Sequence, residues 1–225
     1  MKKNSGFTIV ELMAVLIIIG ALLTLFIVQY NTSSISKSKL LFKKAYHATE
    51  RTVYDIINDE DLYPSSGGNE GLKNISPVEY SDNTYNGASK FCGLFAAKLN
   101  TVDKNPNCSE NHDFTKTPSF VTTDGIAWYM PVFDLNSATD GDPSEPAEYH
   151  ILVDVDNTSG NNCEYQVIEC NQETGLNTLN ESCTEDTIIC PDPDRFRIKV
   201  MYNGKMYVDG VKEKEYLQSS TTTKN

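Results

Sequence analysis

Gly6-Phe7-Thr8-Ile9-Val10-Glu11-Leu12-Met13-Ala14-Val15-Leu16-Ile17-Ile18-Ile19-Gly20-Ala21-Leu22-Leu23-Thr24-Leu25-Phe26-Ile27-Val28-Gln29-Tyr30 is an apolar run in which Glu11 is the only charged side chain. The 24 residues from Phe7 to Tyr30 are enough, at about 1.5 Å per residue, for a helix to cross a hydrocarbon core of about 30 Å. A membrane span is expected. Glu11 is the oddity, since a carboxylate near the start of such a helix costs a few kcal/mol (roughly 3) unless it is paired or reaches the interface.

A short basic leader, Met1-Lys2-Lys3-Asn4-Ser5-Gly6, precedes the run. The string Gly6-Phe7-Thr8-Ile9-Val10-Glu11-Leu12 resembles the processing motif of type IV pilins and type II secretion pseudopilins. The resemblance implies cleavage by a prepilin peptidase between Gly6 and Phe7, N-methylation of Phe7 as the new terminus, and Glu11 as the assembly carboxylate. Physical chemistry agrees with that division of roles. Cleavage creates a positive α-amine in or beside the bilayer, and a neighbouring subunit's carboxylate neutralises it where either charge alone is expensive. A secretory signal peptide also begins with lysines before an apolar stretch. Here, however, no Ala-x-Ala site ends the run, the run is longer than a usual signal core, and Glu11 interrupts its start. A plain uncleaved anchor is the other simple alternative.

The fold class expected is α+β, a long N-terminal transmembrane and amphipathic helix packed on a C-terminal antiparallel β-sheet, as in pilins. The divisions are a leader (1–6), a transmembrane half-helix (7–30), an amphipathic half-helix (31–60), a helix-to-sheet loop region (61–118), a sheet and disulfide-rich region (119–211) and a flexible tail (212–225). No Pro or Gly occurs between Ala21 and Leu62, and Ile35, Ser38, Phe42, Ala45, Thr49, Val53 and Ile56 recur at spacings of three and four. That is the stripe of one continuous amphipathic helix, roughly Phe7 to Asn58. Val28 stands where many relatives of this type have a helix-breaking proline, and Gly20 alone weakens a helix by only about 1 kcal/mol relative to Ala. The breaker cluster Asp59-Glu60-Asp61-Leu62-Tyr63-Pro64-Ser65-Ser66-Gly67-Gly68 stops the helix. A short helix is expected around Ser89 to Leu99. Strands are expected at Gly125–Val132, Tyr149–Val155, Glu164–Ile168, Arg195–Tyr202 and Lys205–Val208, the last two joined by the hairpin signal Asn203-Gly204. The charged, then Ser/Thr-rich end reads as a frayed tail.

The chain has 225 residues and a net charge of −12, and loss of Lys2 and Lys3 leaves 17 basic against 31 acidic side chains, a net −14. Such a surface repels nucleic acid and anionic lipid at long range, so no direct nucleic-acid binding is expected. Six cysteines, all after the apolar run, form no Cys-x-x-Cys pair. They read as disulfides in an oxidising compartment. Lys2 and Lys3 favour a cytoplasmic N-terminus, while Lys37, Lys39, Lys43 and Lys44 argue the other way. The cysteines and the processing motif place the leader in the cytoplasm and the domain in the periplasm.

Cys92 and Cys108 are candidates to staple the loop region. Of the last four, Cys163 with Cys190 and Cys170 with Cys183 match a hairpin centred on the gap between Cys170 and Cys183, since the spacing is symmetric. Cys163 and Cys170 are an odd seven apart, however, which puts them on opposite faces of a regular strand, and six cysteines allow fifteen pairings. Asp154, Asp156 and Asn157, within Asp154-Val155-Asp156-Asn157-Thr158-Ser159-Gly160-Asn161-Asn162, offer hard oxygens to a calcium ion, and some pseudopilins carry such a site late in the chain. The same residues serve equally as turn formers. Asp134, Asn136, Asp140 and Asp142 read as a solvated loop, while Asp192 and Asp194 reach the first acidic turn only if the sheet folds back. His47, His112 and His150 are isolated, and neither a nucleophile elbow nor a phosphate loop is present, so catalysis is not expected. Of the adjacent Trp128 and Tyr129, one is expected in the core and the other is free to be exposed.

The resemblance implies a structural subunit of a type IV filament system, held in the inner membrane and then polymerised through its helix for adhesion, motility, DNA uptake or protein secretion. Its partners would be copies of itself, other pilin-like subunits, the prepilin peptidase, an inner-membrane assembly platform and the bilayer. The alternative is a membrane-anchored periplasmic binding domain that never polymerises, with an enzyme third.

Overall fold

The computed structural model describes residues 9–64, 71–103, 105–110, 113–132, 148–157, 160–179 and 181–219, without the side chains of residues 11, 21–36 and 148. Two units divide the chain, residues 1–37 and 38–225. The element α1 (Ile9–Ile57) begins in the first and ends in the second. In the first unit the described apolar side chains from Ile9 to Ile19 are exposed. Residues 7 and 8 and the side chains of residues 21–30 of the expected span lie outside the described part, and among the described residues no helix is long and apolar enough to cross a membrane.

The second unit is α+β, with an antiparallel sheet following the helix. From the helix stripe Phe42, Ala45, Thr49, Val53 and Ile56 are all buried. Thr49 satisfies its hydroxyl inside the helix by donating to the Ala45 carbonyl at 2.8 Å, so it joins the core without an unpaired polar atom. Beyond Ile57 the chain turns through Leu62 and Tyr63 N–H groups bonded to the Asp59 carbonyl. A small hairpin of β1 (Val78–Tyr80) and β2 (Asn83–Tyr85) follows, then α2 (Lys90–Lys98).

The sheet is built from β3 (Phe120–Val121), β4 (Ala127–Tyr129), β5 (Glu148–Asp154), β10 (Arg195–Met201) and β11 (Met206–Tyr207), in the order β11-β10-β5-β4-β3. Alternation decides its faces. Ile151 and Val153 of β5 and Phe196, Ile198 and Val200 of β10 enter one core with the helix stripe, and Phe42 stacks on Phe196 at 4.3 Å. Trp128 enters the same core against Phe95 of α2 at 5.4 Å, its indole N–H donating to the Thr122 hydroxyl at 3.2 Å. Ala127, Tyr129 and Leu152 form a second cluster on the opposite face.

Three expectations change. Both Trp128 and Tyr129 are buried, because Phe114 from the loop before β3 covers the outer face and meets Tyr129 at 5.2 Å. The Asn203-Gly204 hairpin forms with Tyr202, Asn203 and Gly204 in the loop rather than two residues. Gly204 N–H donates to the Met201 carbonyl, Met201 N–H donates to the Lys205 carbonyl, and Gly204 adopts φ +81°, the arrangement of a three-residue turn closed by a left-handed glycine. The expected frayed tail is instead α3 (Val211–Gln218), anchored by buried Tyr216, whose ring lies 5.8 Å from Phe196. Residues 220–225 lie outside the described part.

Between β5 and β10 the chain makes an excursion that joins no strand of the main sheet. In it β6 (Gln166–Ile168) pairs with β9 (Thr187–Ile189), and β7 (Cys170–Asn171) pairs with β8 (Leu176–Asn177). The expected strand at Glu164–Ile168 thus belongs to a separate ribbon, and Thr187–Ile189 is a strand that the sequence reading passed over.

Candidate functional site

Gly6 and Phe7 lie outside the described residues, as does the Glu11 side chain; the Glu11 backbone is helical, within α1. Around it Ile9, Val10, Leu12 and Met13 expose their apolar side chains.

The second cluster assembles where β5 and β10 end together. Asp154 and Arg195 are register partners, and Arg195 Nε donates to Asp154 Oδ2 at 3.0 Å while its Nη2 donates to Asn162 Oδ1 at 3.3 Å. The guanidinium lies over the Phe114 ring at 5.0 Å. Asp154 is buried and its Oδ1 has no hydrogen-bond partner. Burial pushes its carboxyl up to about 6, and the nearby Asp194 and Asp156 charges add to that push while Arg195 opposes it. Asp194, also buried, accepts the N–H groups of Asn162 at 2.7 Å and Cys163 at 2.8 Å. A Cβ at Gly160 would collide with the carboxylate oxygens of Asp156 and Asp194. The structure therefore brings Asp156 and Asp194 to one place around the Gly160 turn, a proximity that the linear sequence left conditional.

Among the described residues no group of three or more His, Cys, Asp or Glu side chains is disposed to hold a metal ion. Two of the acidic side chains have other work. Asp154 pairs with Arg195, and Asp194 closes the turn by accepting two backbone donors, a task for which an ionised carboxylate is well suited. Asn157 takes a left-handed turn conformation, φ +59°, which Asn tolerates. Thr158, Ser159 and the second acidic loop (Asp134, Asn136, Asp140 and Asp142) lie outside the described residues.

Three disulfides join Cys92 to Cys108, Cys163 to Cys190 and Cys170 to Cys183. The objection from odd spacing is removed by the chain path. Cys163 precedes β6, Glu169 interrupts the strand before β7, and Cys190 adopts φ +56°, so no single regular strand carries both cysteines. His47 meets Glu50 at 3.3 Å on α1, His150 is on β5 opposite Lys199, and His112 lies outside the described residues. Sequence reasoning passed over two groups. Lys90 is buried with no hydrogen-bond acceptor for its Nζ, 4.1 Å from the centroid of the Tyr63 ring. Arg195 is the second, and its sign was Arg195 directly following the Asp192-Pro193-Asp194 run.

Comparison with curated proteins and with solved structures finds no match for the chain. Residues 1–27 do match a family model, the prokaryotic N-terminal methylation motif. Over residues 1–27, therefore, the chain carries the type IV pilin and pseudopilin signature, that of a pilin-like precursor processed by prepilin peptidase.

Proposed function

We propose that this protein is a subunit of a type IV filament system, cut between Gly6 and Phe7, methylated on Phe7, and polymerised through its N-terminal helix. The methylation-motif match over residues 1–27 is the observation that carries the reading. A helical segment in which Ile9, Val10, Leu12 and Met13 are exposed among the described residues supports it. The precursor waits in the inner membrane with its disulfide-bonded domain in the periplasm. On assembly, lipid contacts of the helix are exchanged for helix packing, and the Glu11 carboxylate pairs with the Phe7 amine of a neighbour. That pairing sets the axial register, because either charge left alone in low dielectric is costly. The filament then serves adhesion, motility, DNA uptake or protein secretion.

The first test is the intact mass and N-terminal peptide of the protein from its native membrane fraction. A peptide beginning at methylated Phe7 is expected. An N-terminus at Met1, or one beyond Tyr30, sinks the reading. The second is Glu11→Ala, which is expected to leave a stable subunit in the membrane and to deplete it from filaments.

A further inference from the structure

Residues 160–194 form a braced arm. Cys163–Cys190 closes its base and Cys170–Cys183 ties it further out. The base is fixed to the domain by Asp194, which accepts two N–H groups, and by Glu164, which takes both Arg197 nitrogens, Nε at 2.5 Å and Nη2 at 2.9 Å. Yet this constrained ribbon exposes large apolar side chains. Val167 and Ile188 are opposite each other in register, hence on one face, and are 40% and 53% exposed; Leu179 is 62% exposed. Apolar groups clustered on an ordered, covalently braced element mark an interaction surface, and their prior ordering lowers the entropic cost of docking.

Charge selects the partner. Between Lys116 and Arg195 there is no Lys or Arg, while the same interval holds 16 Asp and Glu residues. On the arm Glu169, Glu173 and Glu185 are exposed and make no ion pair among the described residues. The opposite sign is concentrated on α1, where Lys37, Lys39, Lys43 and Lys44 fall within eight residues. Lys44 is held by Asp124 at 2.8 Å and Lys43 donates to the Ser219 carbonyl, but Lys37 and Lys39 have no ion-pair partner among the described residues. Leu40 beside them is 57% exposed.

We propose that the arm of one copy docks on the Lys37, Lys39 and Leu40 segment of α1 in a second copy, acids against lysines and Val167 and Ile188 against Leu40. The two patches differ, so the contact is heterologous and repeats from copy to copy instead of closing a dimer. This inference rests on the filament reading above.

The experiment uses the full-length chain in cells that assemble it, and measures subunit recovered in sheared filaments. Glu169→Lys with Glu185→Lys, and separately Lys37→Glu with Lys39→Glu, are each expected to lower recovery about tenfold through like-charge contact. The four changes together are expected to restore most of it, and Ile188→Ser to lower it with no change of charge. Normal assembly by both reversed pairs, or no recovery in the combination, overturns the inference. Glu11→Ala measured alongside separates the two claims. If it stops assembly while the arm variants assemble normally, the docking surface falls and the filament reading stands. If the unaltered chain is itself absent from sheared filaments, the filament reading falls, and the docking surface with it.

Discussion

Asp154 links the stability of the domain to pH through one carboxyl. Its folded value, about 6, is above the unfolded value of about 3.9, so the folded state binds the proton more tightly. The associated stability is fully present below pH about 4 and is lost as pH rises through about 6. Unfolding free energy is therefore expected to fall by roughly 1–3 kcal/mol between pH 4 and 7 from this group, and Asp154→Asn is expected to flatten that slope. A denaturant midpoint series across pH checks it, and an unchanged slope in the variant rejects it. Lys90 has the converse behaviour. Burial pulls its amine down to about 8, so the folded state resists the proton and stability rises as pH climbs from about 8 toward 10.5. Lys90→Met keeps the volume and removes a buried charge without an acceptor, and should raise stability by about 1–2 kcal/mol. A lower midpoint would mean that the contact with Tyr63 outweighs the desolvation.

At the scale of elements, the arm and α3 depend on different forces. The arm buries little, and most of its strand residues are exposed, so covalent bracing replaces a core. Removing Cys170–Cys183 by paired Cys→Ser changes is expected to cost about 3 kcal/mol in the chain-entropy model. Because the bond encloses only the outer loop, limited proteolysis should then cut within residues 171–182 while the main sheet stays protected. Cleavage elsewhere first would show the bond bracing more than the arm. α3 relies instead on Tyr216, and Tyr216→Ala is expected to cost about 3 kcal/mol and to release that helix, as read by faster amide exchange over Val211–Gln218.

For the molecule as a whole, residues 38–225 share one principal core joining α1, α2, the sheet and α3. Phe196 is its meeting point, touching Phe42 on one side and Tyr216 on the other. Phe196→Ala should cost about 3–5 kcal/mol, a large part of the roughly 5–15 kcal/mol available to a domain. Helix and sheet signals should then be lost together in one transition at a lower midpoint; separate transitions would mean that the elements are not coupled through this ring.

Much of this was legible in the chain itself. The helix stripe from Phe42 to Ile56, the hairpin at Gly204 and the alternation of β5 and β10 are local patterns of period 3.6 or 2, and such patterns are determined by neighbours in sequence. The methylation motif at Gly6 to Leu12 is likewise a contiguous string. What the sequence determined by itself, then, was the long helix, the sheet strands and the processing signature. The tertiary structure alone decided that Phe114 covers Tyr129, that Tyr216 turns a polar tail into a docked helix, that Glu164–Ile168 leaves the sheet for a separate ribbon, and that Asp194 returns to the turn after Asp156. Each of these depends on contacts between residues far apart along the chain, where burial and pairing outweigh local propensity.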